Sequence, residues 1–287
     1  MSFNKAMKQI PIDELDNLRK EFEKNPSLKD YVPEFNALID AVRTIYLSQL
    51  TVKYKEHDVM IGAPQLTDEE IKKQEALRED MTESRALIQW HVLQNEADSE
   101  YLGTLFSILR NTMDKLEFKK EWWGTERGLR QELGVLKLLK KDFKKVTPGE
   151  PKEDAHYAID FWTETHNGTT VIFQSKSTSP FLKDGVYSES DVDSLEKEFS
   201  TGTYAYVDLK YKQQFSDDER PTPLVKLRKI QQDIKKAKEY AISKGIEKPI
   251  FYLIACNANN FEDITGNPIQ YATTSVANRL WEISQNE

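Results

Sequence analysis

The sequence contains a single cysteine, Cys256, among its 287 residues. One cysteine excludes an internal disulfide framework and any zinc site built from several cysteines. Its position in the apolar run "PIFYLIAC" favours a buried packing residue over a nucleophile. Long apolar runs are also lacking, because no stretch approaches the roughly 18 apolar residues that span a bilayer. The first residues, "MSFNKAMKQIPIDEL", contain no apolar signal-peptide core, so we expect a cytoplasmic protein without a membrane partner.

The chain also lacks the net positive charge that is typical of nucleic-acid-binding proteins. Its formal net charge is −8 at pH 7. Residues 1–114 contain 14 Lys and Arg against 21 Asp and Glu, a net charge of −7, and residues 115–287 contain 26 against 27, a net charge of −1. The lysines of the second part cluster in two predicted helices, which are either solvated faces or phosphate-contacting surfaces. The candidates for phosphate contacts are Lys137, Lys140, Lys141, Lys144, Lys229 and Lys236.

Residues 1–115 are predicted to be helical, because their apolar residues recur three and four positions apart. Thr67 and Glu70 have the spacing of a capping box at the start of one of these helices. The two histidines of this region, His57 and His91, are isolated and are interpreted as packing or surface residues. We interpret the region as an acidic helical domain that contacts a protein partner or positions the rest of the chain.

Residues 116–287 combine helical and strand patterns. A helix over about 124–143 precedes a strand pair over about 156–177, and a polar stretch at 178–202 follows. The segment "TYAYVDLKY" has a strand pattern, and a basic helix, the apolar strand "KPIFYLIACN" and a closing helix in "SVANRLWEIS" complete the chain. This order predicts a mixed α/β (α+β) domain.

The strand pair, "YAIDFWTETHNGTTVIFQSKS" at 157–177, carries polar residues where core residues are expected. Its turn contains either two residues, "NG", or three, "HNG", with glycine in the left-handed position. A two-residue loop sets Asp160 opposite Ser175. A three-residue loop sets Asp160 opposite Gln174, and the alternation of side chains then puts Lys176 on the same face. Because only the second register gathers three polar groups, we predict the three-residue loop.

The preceding helix supplies a fourth polar group. Its apolar stripe consists of Leu129, Leu133, Leu136, Leu139 and Phe143. At about 100° per residue, Glu132 lies within roughly 40° of the centre of this stripe. A carboxylate on a buried face is costly unless a partner compensates its charge. A cation shared with Asp160 would do so; the alternative is a Glu132 side chain that bends to the rim or pairs with a lysine.

These residues suggest a hydrolytic site. Asp160 and Glu132 can hold a hard divalent ion through oxygen, with Mg²⁺ as the expected ion and Mn²⁺ as a substitute. Gln174 adds an amide oxygen, and the Ser175 carbonyl is close by. Lys176 is expected to orient or help deprotonate the attacking water and to offset charge on the phosphate.

The order of these residues resembles the PD-(D/E)XK, or restriction-endonuclease-like, nuclease superfamily. A helix glutamate, then Asp160, then thirteen residues, then "QSK" is most similar to the Mrr-like branch, in which glutamine replaces an acidic residue. The resemblance covers about 124–256 and implies an αβββαβ core that hydrolyses DNA with Mg²⁺. On it, Glu132, Asp160, Gln174 and Lys176 take the active-site roles. A rival third motif, Asp208 and Lys210 in "VDLKY", is an alternative to the "QSK" pair.

Two classes of function are consistent with this pattern: a Mg²⁺-dependent deoxyribonuclease, or a non-catalytic nuclease-like scaffold in a nucleic-acid-processing assembly. RNA or a modified nucleic acid is a third alternative, as the substrate of the enzyme. Asp154 and His156 precede the first strand of the pair, and a surface role is favoured for them over the alternative of substrate contact. Trp122, Trp123 and Trp162 are interpreted as core residues rather than as stacking partners for unpaired bases.

Overall fold

The structure is a computed structural model that describes residues 12–43, 68–116, 119–179, 181–200, 223–262 and 265–287. His57 lies outside these residues, and so do Thr67 of the predicted capping box and Asp208 and Lys210 of the rival third motif. In the first part of the chain, the helices occur where the apolar spacing predicts them. They are α1 (Ile12–Glu23), a short 3-10 helix (Pro26–Tyr31), α2 (32–43), α3 (Asp68–Gln94) and α4 (Ser99–Lys115).

The second part alternates helices and strands, as the mixed pattern predicts. Its elements are α5 (Lys119–Asp142), β1 (Lys145–Pro148), α6 (Pro151–Tyr157), β2 (Phe161–Glu164), β3 (Thr170–Ser177), β4 (Gly185–Ser188), α7 (Glu189–Ser200), α8 (Pro223–Ser243), β5 (Ile250–Cys256) and α9 (Gln270–Asn286). The short elements β1 and α6 lie in a segment for which the apolar pattern predicts neither. The polar stretch at 178–202 is not only loop, because it contains β4 and α7.

The five strands of the described residues form one mixed sheet in the order β1-β2-β3-β5-β4. The first three strands are an antiparallel meander, β5 lies parallel to β3, and β4 pairs with β5 in the antiparallel sense at the edge. A parallel pair requires a crossover connection, and α8 lies in the connection between β3 and β5. The fold is therefore a mixed α+β architecture.

The hairpin has the predicted register. Phe161 pairs with Phe173, and the N–H of Asp160 donates to the Phe173 carbonyl at 3.1 Å, so Asp160 lies opposite Gln174. Gly168 has a φ of 83°, the left-handed conformation that glycine adopts without a steric penalty. The prediction of a three-residue loop is confirmed.

Helix α5 is buried on more of its surface than one stripe. All five residues of the predicted stripe are buried, but Val135 and Leu138, which lie outside it, are buried as well. The reason is that α5 packs against the sheet and also against α3, α4 and α9. Its apolar residues belong to the same core as those of the N-terminal helices, for example Leu15 and Phe106. The predicted regions 1–115 and 116–287 therefore share one apolar core.

A second, smaller core lies on the other face of the sheet. There Ile172 of β3 and Leu253 of β5 pack against Ile234 and Ala237 of α8. Alternation along β3 therefore directs residues 172, 174 and 176 toward the α8 side, and residues 171, 173 and 175 toward the α5 side.

Four further predictions concern single residues. Cys256 is fully buried, as predicted, and burial raises the pKa of its thiol to about 12. The prediction that Trp123 is a core residue is wrong: Trp123 is 66% exposed, and its ring lies beside the Arg127 guanidinium. Trp162 is half-buried and packs against the α8-side core, as predicted. The side chain of Trp122 lies outside the described part of the structure. Within the helices that the structure describes, none has the length and apolar character needed to cross a membrane.

Candidate active site

The strand register places three of the predicted polar groups together. Gln174 and Lys176 project from the α8 side of β3, and Asp160 lies directly before β2, opposite Gln174. The backbone N–H of Ser175 donates to Asp160 Oδ2 at 2.6 Å. Burial raises the pKa of the Asp160 carboxyl, while the Lys176 ammonium and the Ser175 N–H act in the opposite direction. The aspartate is therefore a buried carboxyl with one nearby cation.

The backbone before Asp160 is positioned by the close approach of Gly149, directly after β1, to the residues directly before β2. The N–H of Gly149 donates to the Asp160 carbonyl at 2.8 Å. A Cβ atom at Gly149 would lie only 2.0 Å from the Ile159 carbonyl oxygen, so no other residue fits there without a backbone shift. Ala158 ends α6 with a φ of 55°, which turns the chain into β2. These two positions determine where the Asp160 carboxylate is presented.

Glu132 of α5 reaches the same region. Its side chain is half-buried, and its Oε2 atom is shielded from solvent with no hydrogen-bond partner among the described residues. Burial raises the pKa of the Glu132 carboxyl well above its usual range, the Asp160 and Asp154 carboxylates raise it further, and Lys176 partly opposes them. Of the two alternatives, a lysine pair is not found, since no ion pair among the described residues involves Glu132, and the shielded Oε2 does not fit a side chain that bends to the rim.

Gln131, next to Glu132, joins α5 to β3, and the sequence reasoning missed it. Its Nε2 donates to the Ser175 Oγ at 2.9 Å, and its Oε1 accepts from the Ser177 Oγ at 2.8 Å. Gln131 is buried although it lies far from the centre of the apolar stripe, because its side of α5 faces β3. The helix carrying Glu132 is thus held to the strand carrying Gln174 and Lys176.

Asp154 is a site residue, which corrects its interpretation as a surface residue. It is half-buried in α6, and its side chain is near enough to Asp160 and to Gln89 of α3 for both to influence the pKa of its carboxyl. Burial raises the pKa of the Asp154 carboxyl well above its usual range, and Asp160 adds to this effect. His156 keeps the expected surface position, where its Nε2 lies 2.8 Å from Glu83 Oε1.

The short helix that carries Asp154 had a recognisable sequence signal. In "GEPKEDAHY", Pro151 occupies the first turn, and the Glu153 carboxylate accepts the Glu150 N–H at 2.9 Å in a capping box. This signal predicts where a helix starts. It does not predict that the helix faces the site.

The charges of the site leave room for a divalent cation. The carboxylates of Glu132, Asp154 and Asp160 are accompanied by one ammonium group, that of Lys176, which leaves a deficit of two positive charges when all three are ionised. Gln174 is 1% exposed, and its Oε1 has no hydrogen-bond partner among the described residues. Shielded oxygens of this kind suit a hard cation such as Mg²⁺ or Mn²⁺.

The donor set is mixed rather than purely acidic. Across the described ranges, no group of three or more His, Cys, Asp and Glu side chains is arranged to hold a metal ion. A cation at this site would therefore need the amide oxygen of Gln174 in addition to carboxylate oxygens. Such a set fits the predicted ligands Glu132, Asp160 and Gln174. The contribution predicted for Ser175 is its backbone carbonyl, and its side chain faces α5, where the Oγ accepts from Gln131.

The predicted phosphate-contacting lysines of α5, and Lys144 just after it, do not surround the candidate cation site. The helix rises by about 1.5 Å per residue, so Lys141 is about 13 Å beyond Glu132 along the axis. Lys144 is next to β1 and lies four strand residues, or about 13 Å, from Asp160. Three of the four predicted contacts are also engaged within the chain: Lys137 with the Thr265 carbonyl and Asn267, Lys140 with Glu96, and Lys144 with Glu164.

The lysines of α8 are better placed. Asp233 of α8 is near enough to Asp160 to contribute to the raised pKa of that carboxyl, after the larger effect of burial. At about 100° per residue, Lys229, Asp233 and Lys236 lie within an arc of about 60° on the helix surface. Both lysines are exposed, and neither forms an ion pair with another described residue. Lys229 and Lys236 therefore flank the edge of α8 that approaches the site.

Comparison of the chain with protein-family models, with curated proteins and with solved structures finds no match. The function is therefore inferred from the arrangement of side chains described above.

Proposed function

We propose that this protein is a metal-dependent nuclease that hydrolyses phosphodiester bonds of DNA. The observation that carries the proposal is a pair of shielded acceptors without hydrogen-bond partners among the described residues, Glu132 Oε2 and Gln174 Oε1, beside Asp160 and Lys176. A buried acceptor without a donor is costly, and proteins retain such groups where a ligand satisfies them. A divalent cation is the ligand that fits two carboxylates and an amide oxygen.

The connectivity supports the same proposal. Taken in chain order, α5, β1, β2, β3, α8 and β5 have the αβββαβ order of the restriction-endonuclease-like core, with α6, β4 and α7 as additions. The glutamate lies on the first helix, the aspartate at the start of the second strand, and the glutamine and lysine on the third. These are the positions that the resemblance to the PD-(D/E)XK superfamily implies.

In the proposed reaction, Glu132, Asp160 and Gln174 would hold Mg²⁺, with Mn²⁺ as a substitute. When bound, the ion supplies Lewis-acid polarisation of the phosphoryl oxygen and acidifies the attacking water. Lys176 orients that water and offsets negative charge on the phosphate. The water gives up a proton to solvent as its oxygen forms a bond to phosphorus, the bond from phosphorus to the leaving sugar oxygen breaks, and that oxygen takes a proton from solvent. Lys229 and Lys236 contact flanking phosphates.

Cleavage assays with matched variants test this proposal. Linear, circular, branched and single-stranded DNA are incubated with the full chain and Mg²⁺ or Mn²⁺. We expect cleavage that is lost with EDTA and in Asp160→Asn and Lys176→Met. Lys235→Met is the control, because Lys235 is an exposed lysine of α8 paired with Glu239. Retained cleavage in Asp160→Asn would assign the activity to a contaminant or to another site.

A second candidate function is a non-catalytic scaffold that keeps the nuclease-like arrangement. The observation that favours it is the neutral Gln174 where a third acidic ligand would stand, together with the lack of a three-residue metal cluster among the described residues. Calorimetric titration with Mn²⁺ separates the two candidates. Binding that Asp160→Asn abolishes supports the nuclease, whereas a folded wild-type chain that takes up no Mn²⁺ or Mg²⁺ supports the scaffold.

A further inference from the structure

We propose that Gln131 is a positioning residue for metal binding: its side-chain amide fixes α5 on β3, and this contact places the Glu132 carboxylate at the cation. The inference rests on the nuclease proposal above and adds a residue outside its four active-site groups. Gln131 does not touch the cation, because it acts through its neighbour in the chain.

The first observation is a two-point contact made by one buried amide. Gln131 is 2% exposed. Its Nε2 donates to the Ser175 Oγ at 2.9 Å, and its Oε1 accepts from the Ser177 Oγ at 2.8 Å. The two serines are two residues apart on β3, which is about 6–7 Å along the strand. Because both the donor and the acceptor of the amide are used, α5 can neither turn nor slide on the strand without losing a hydrogen bond.

The second observation is that Glu132 depends on its helix for its position. Its Oε2 is shielded and has no hydrogen-bond partner among the described residues. The Cα atoms of Gln131 and Glu132 are about 3.8 Å apart, so fixing the first residue fixes the backbone of the second. A carboxylate about 6 Å from the helix axis moves by roughly 1 Å when the helix turns by about 10°. Such a shift exceeds the tolerance of about 0.2 Å in metal–ligand distances.

The third observation is that Ser175 is bonded to both sides of the site. Its backbone N–H donates to Asp160 Oδ2 at 2.6 Å, and its side chain accepts from Gln131. The bond to Asp160 involves only the main chain of Ser175, so it does not need Gln131. Loss of the Gln131 amide would therefore displace Glu132 relative to an Asp160 that stays in place.

The test measures Mn²⁺ affinity by electron paramagnetic resonance of the free ion, with the full-length chain and no DNA. We expect Gln131→Leu to weaken Mn²⁺ binding by roughly 10–100-fold, which is typical of the loss of a group that orients a ligand. Thr163→Val is the matched control. Thr163 is also buried, and its Oγ1 donates to the Val171 carbonyl at 3.1 Å, three residue pairs along the hairpin from Asp160. This variant loses a buried hydrogen bond of the same sheet and should bind Mn²⁺ like the wild type.

Ser177 offers a milder pair of variants, because it is exposed at the end of β3. Ser177→Ala removes the donor to the Gln131 Oε1 and should weaken Mn²⁺ binding by roughly 2–10-fold, as expected for one hydrogen bond. Ser177→Thr keeps the hydroxyl and should bind like the wild type. This pair tests the proposal even if Gln131→Leu does not fold, and equal affinities in the two variants would then overturn it.

A double variant identifies the residue through which Gln131 acts. In a Glu132→Ala background, Gln131→Leu should cause little further loss of affinity, because the group that it positions is already absent. If the further loss is as large as in the otherwise unchanged chain, Gln131 acts independently of Glu132 and the proposal is overturned.

The remaining outcomes separate this inference from the nuclease proposal. Circular dichroism shows which variants are folded. If Asp160→Asn abolishes Mn²⁺ binding while a folded Gln131→Leu binds like the wild type, the inference fails and the nuclease proposal stands. If the folded wild-type chain binds no Mn²⁺, both fail.

Discussion

Replacing Glu132 by glutamine is predicted to stabilise the metal-free protein at neutral pH. The Oε2 atom of Glu132 is shielded without a partner among the described residues. The pKa of its carboxyl is raised first by burial, then by the Asp160 and Asp154 carboxylates, and Lys176 opposes these effects only in part. Leaving a buried polar group unsatisfied costs roughly 1–3 kcal/mol, and a charged group costs more. Glutamine has nearly the same shape and removes the charge, so we expect a gain of about 1–3 kcal/mol.

The dependence on pH follows from the direction of the pKa shift. A carboxyl group whose pKa is higher in the folded state binds more protons there than in the unfolded chain, so it loses stability as pH rises. The loss begins near the unfolded glutamate pKa of about 4.3 and is complete above the raised pKa of the folded state. Glutamine does not titrate. The stability gained in Glu132→Gln should therefore be large at pH 8 and should shrink toward pH 4.5.

Thermal unfolding in EDTA, followed by circular dichroism at both pH values, measures this difference. Each kcal/mol corresponds to roughly 2–4 °C in the melting temperature of a domain of 150–250 residues, so an increase of about 2–12 °C is expected at pH 8. Glu126→Gln is the matched control on the same helix, because Glu126 is paired with Arg110. That substitution should be neutral or destabilising by up to about 1 kcal/mol.

Added Mn²⁺ should reverse the order of stabilities. A ligand at 100 times its dissociation constant stabilises the folded state by about 2.7 kcal/mol, and Glu132→Gln should lose much of this gain. If Glu132→Gln destabilises the metal-free protein at pH 8 as much as Glu126→Gln does, the Glu132 carboxylate must have a hydrogen-bond partner or water contact in solution. The metal-ligand assignment of Glu132 would then be refuted.

Three other predictions concern the backbone before Asp160 and the phosphate contacts. Ala158→Gly should raise the free energy of urea unfolding by about 0.5–1 kcal/mol, because glycine adopts the φ of 55° at this position without steric cost. Ala155→Gly, inside α6, is the control and should lower the free energy of unfolding by about 1 kcal/mol. Equal destabilisation by both changes would contradict the left-handed conformation. Gly149→Ala should destabilise the folded protein by about 1–3 kcal/mol and reduce Mn²⁺ affinity, because a Cβ at this position collides with the Ile159 carbonyl. Unchanged Mn²⁺ affinity would show that the backbone at Gly149 does not position the Asp160 carboxylate. Lys236→Ser should weaken DNA binding at low salt and reduce the salt dependence of the affinity, as measured by fluorescence anisotropy. Lys144→Ser should change neither quantity. A larger loss of affinity in Lys144→Ser than in Lys236→Ser would place the DNA contact at the end of α5 and β1 instead of at α8.

Several parts of the fold and the site follow from local sequence. The buried stripe of α5 follows from a helical period of about 3.6 residues, and the position of Asp160 opposite Gln174 follows from the turn length and the alternation of strand side chains. These relations involve residues that are close in the chain. Local geometry is sufficient to determine them, whatever packs around the hairpin.

The tertiary structure alone decided how the remaining groups meet. Gln89 and Asp154 are separated by 65 positions in the chain (154 minus 89), and no periodicity relates them; they are close to each other because α3 packs on α6. Gln131 is buried because its side of α5 faces β3, where it contacts Ser175 and Ser177, whereas the described residues leave Trp123 largely uncovered. Periodicity determines which side of its own element a residue occupies. Which other element packs against that side depends on long-range tertiary packing. The hydrophobic effect that drives this packing is non-directional, so it cannot be read from one element alone.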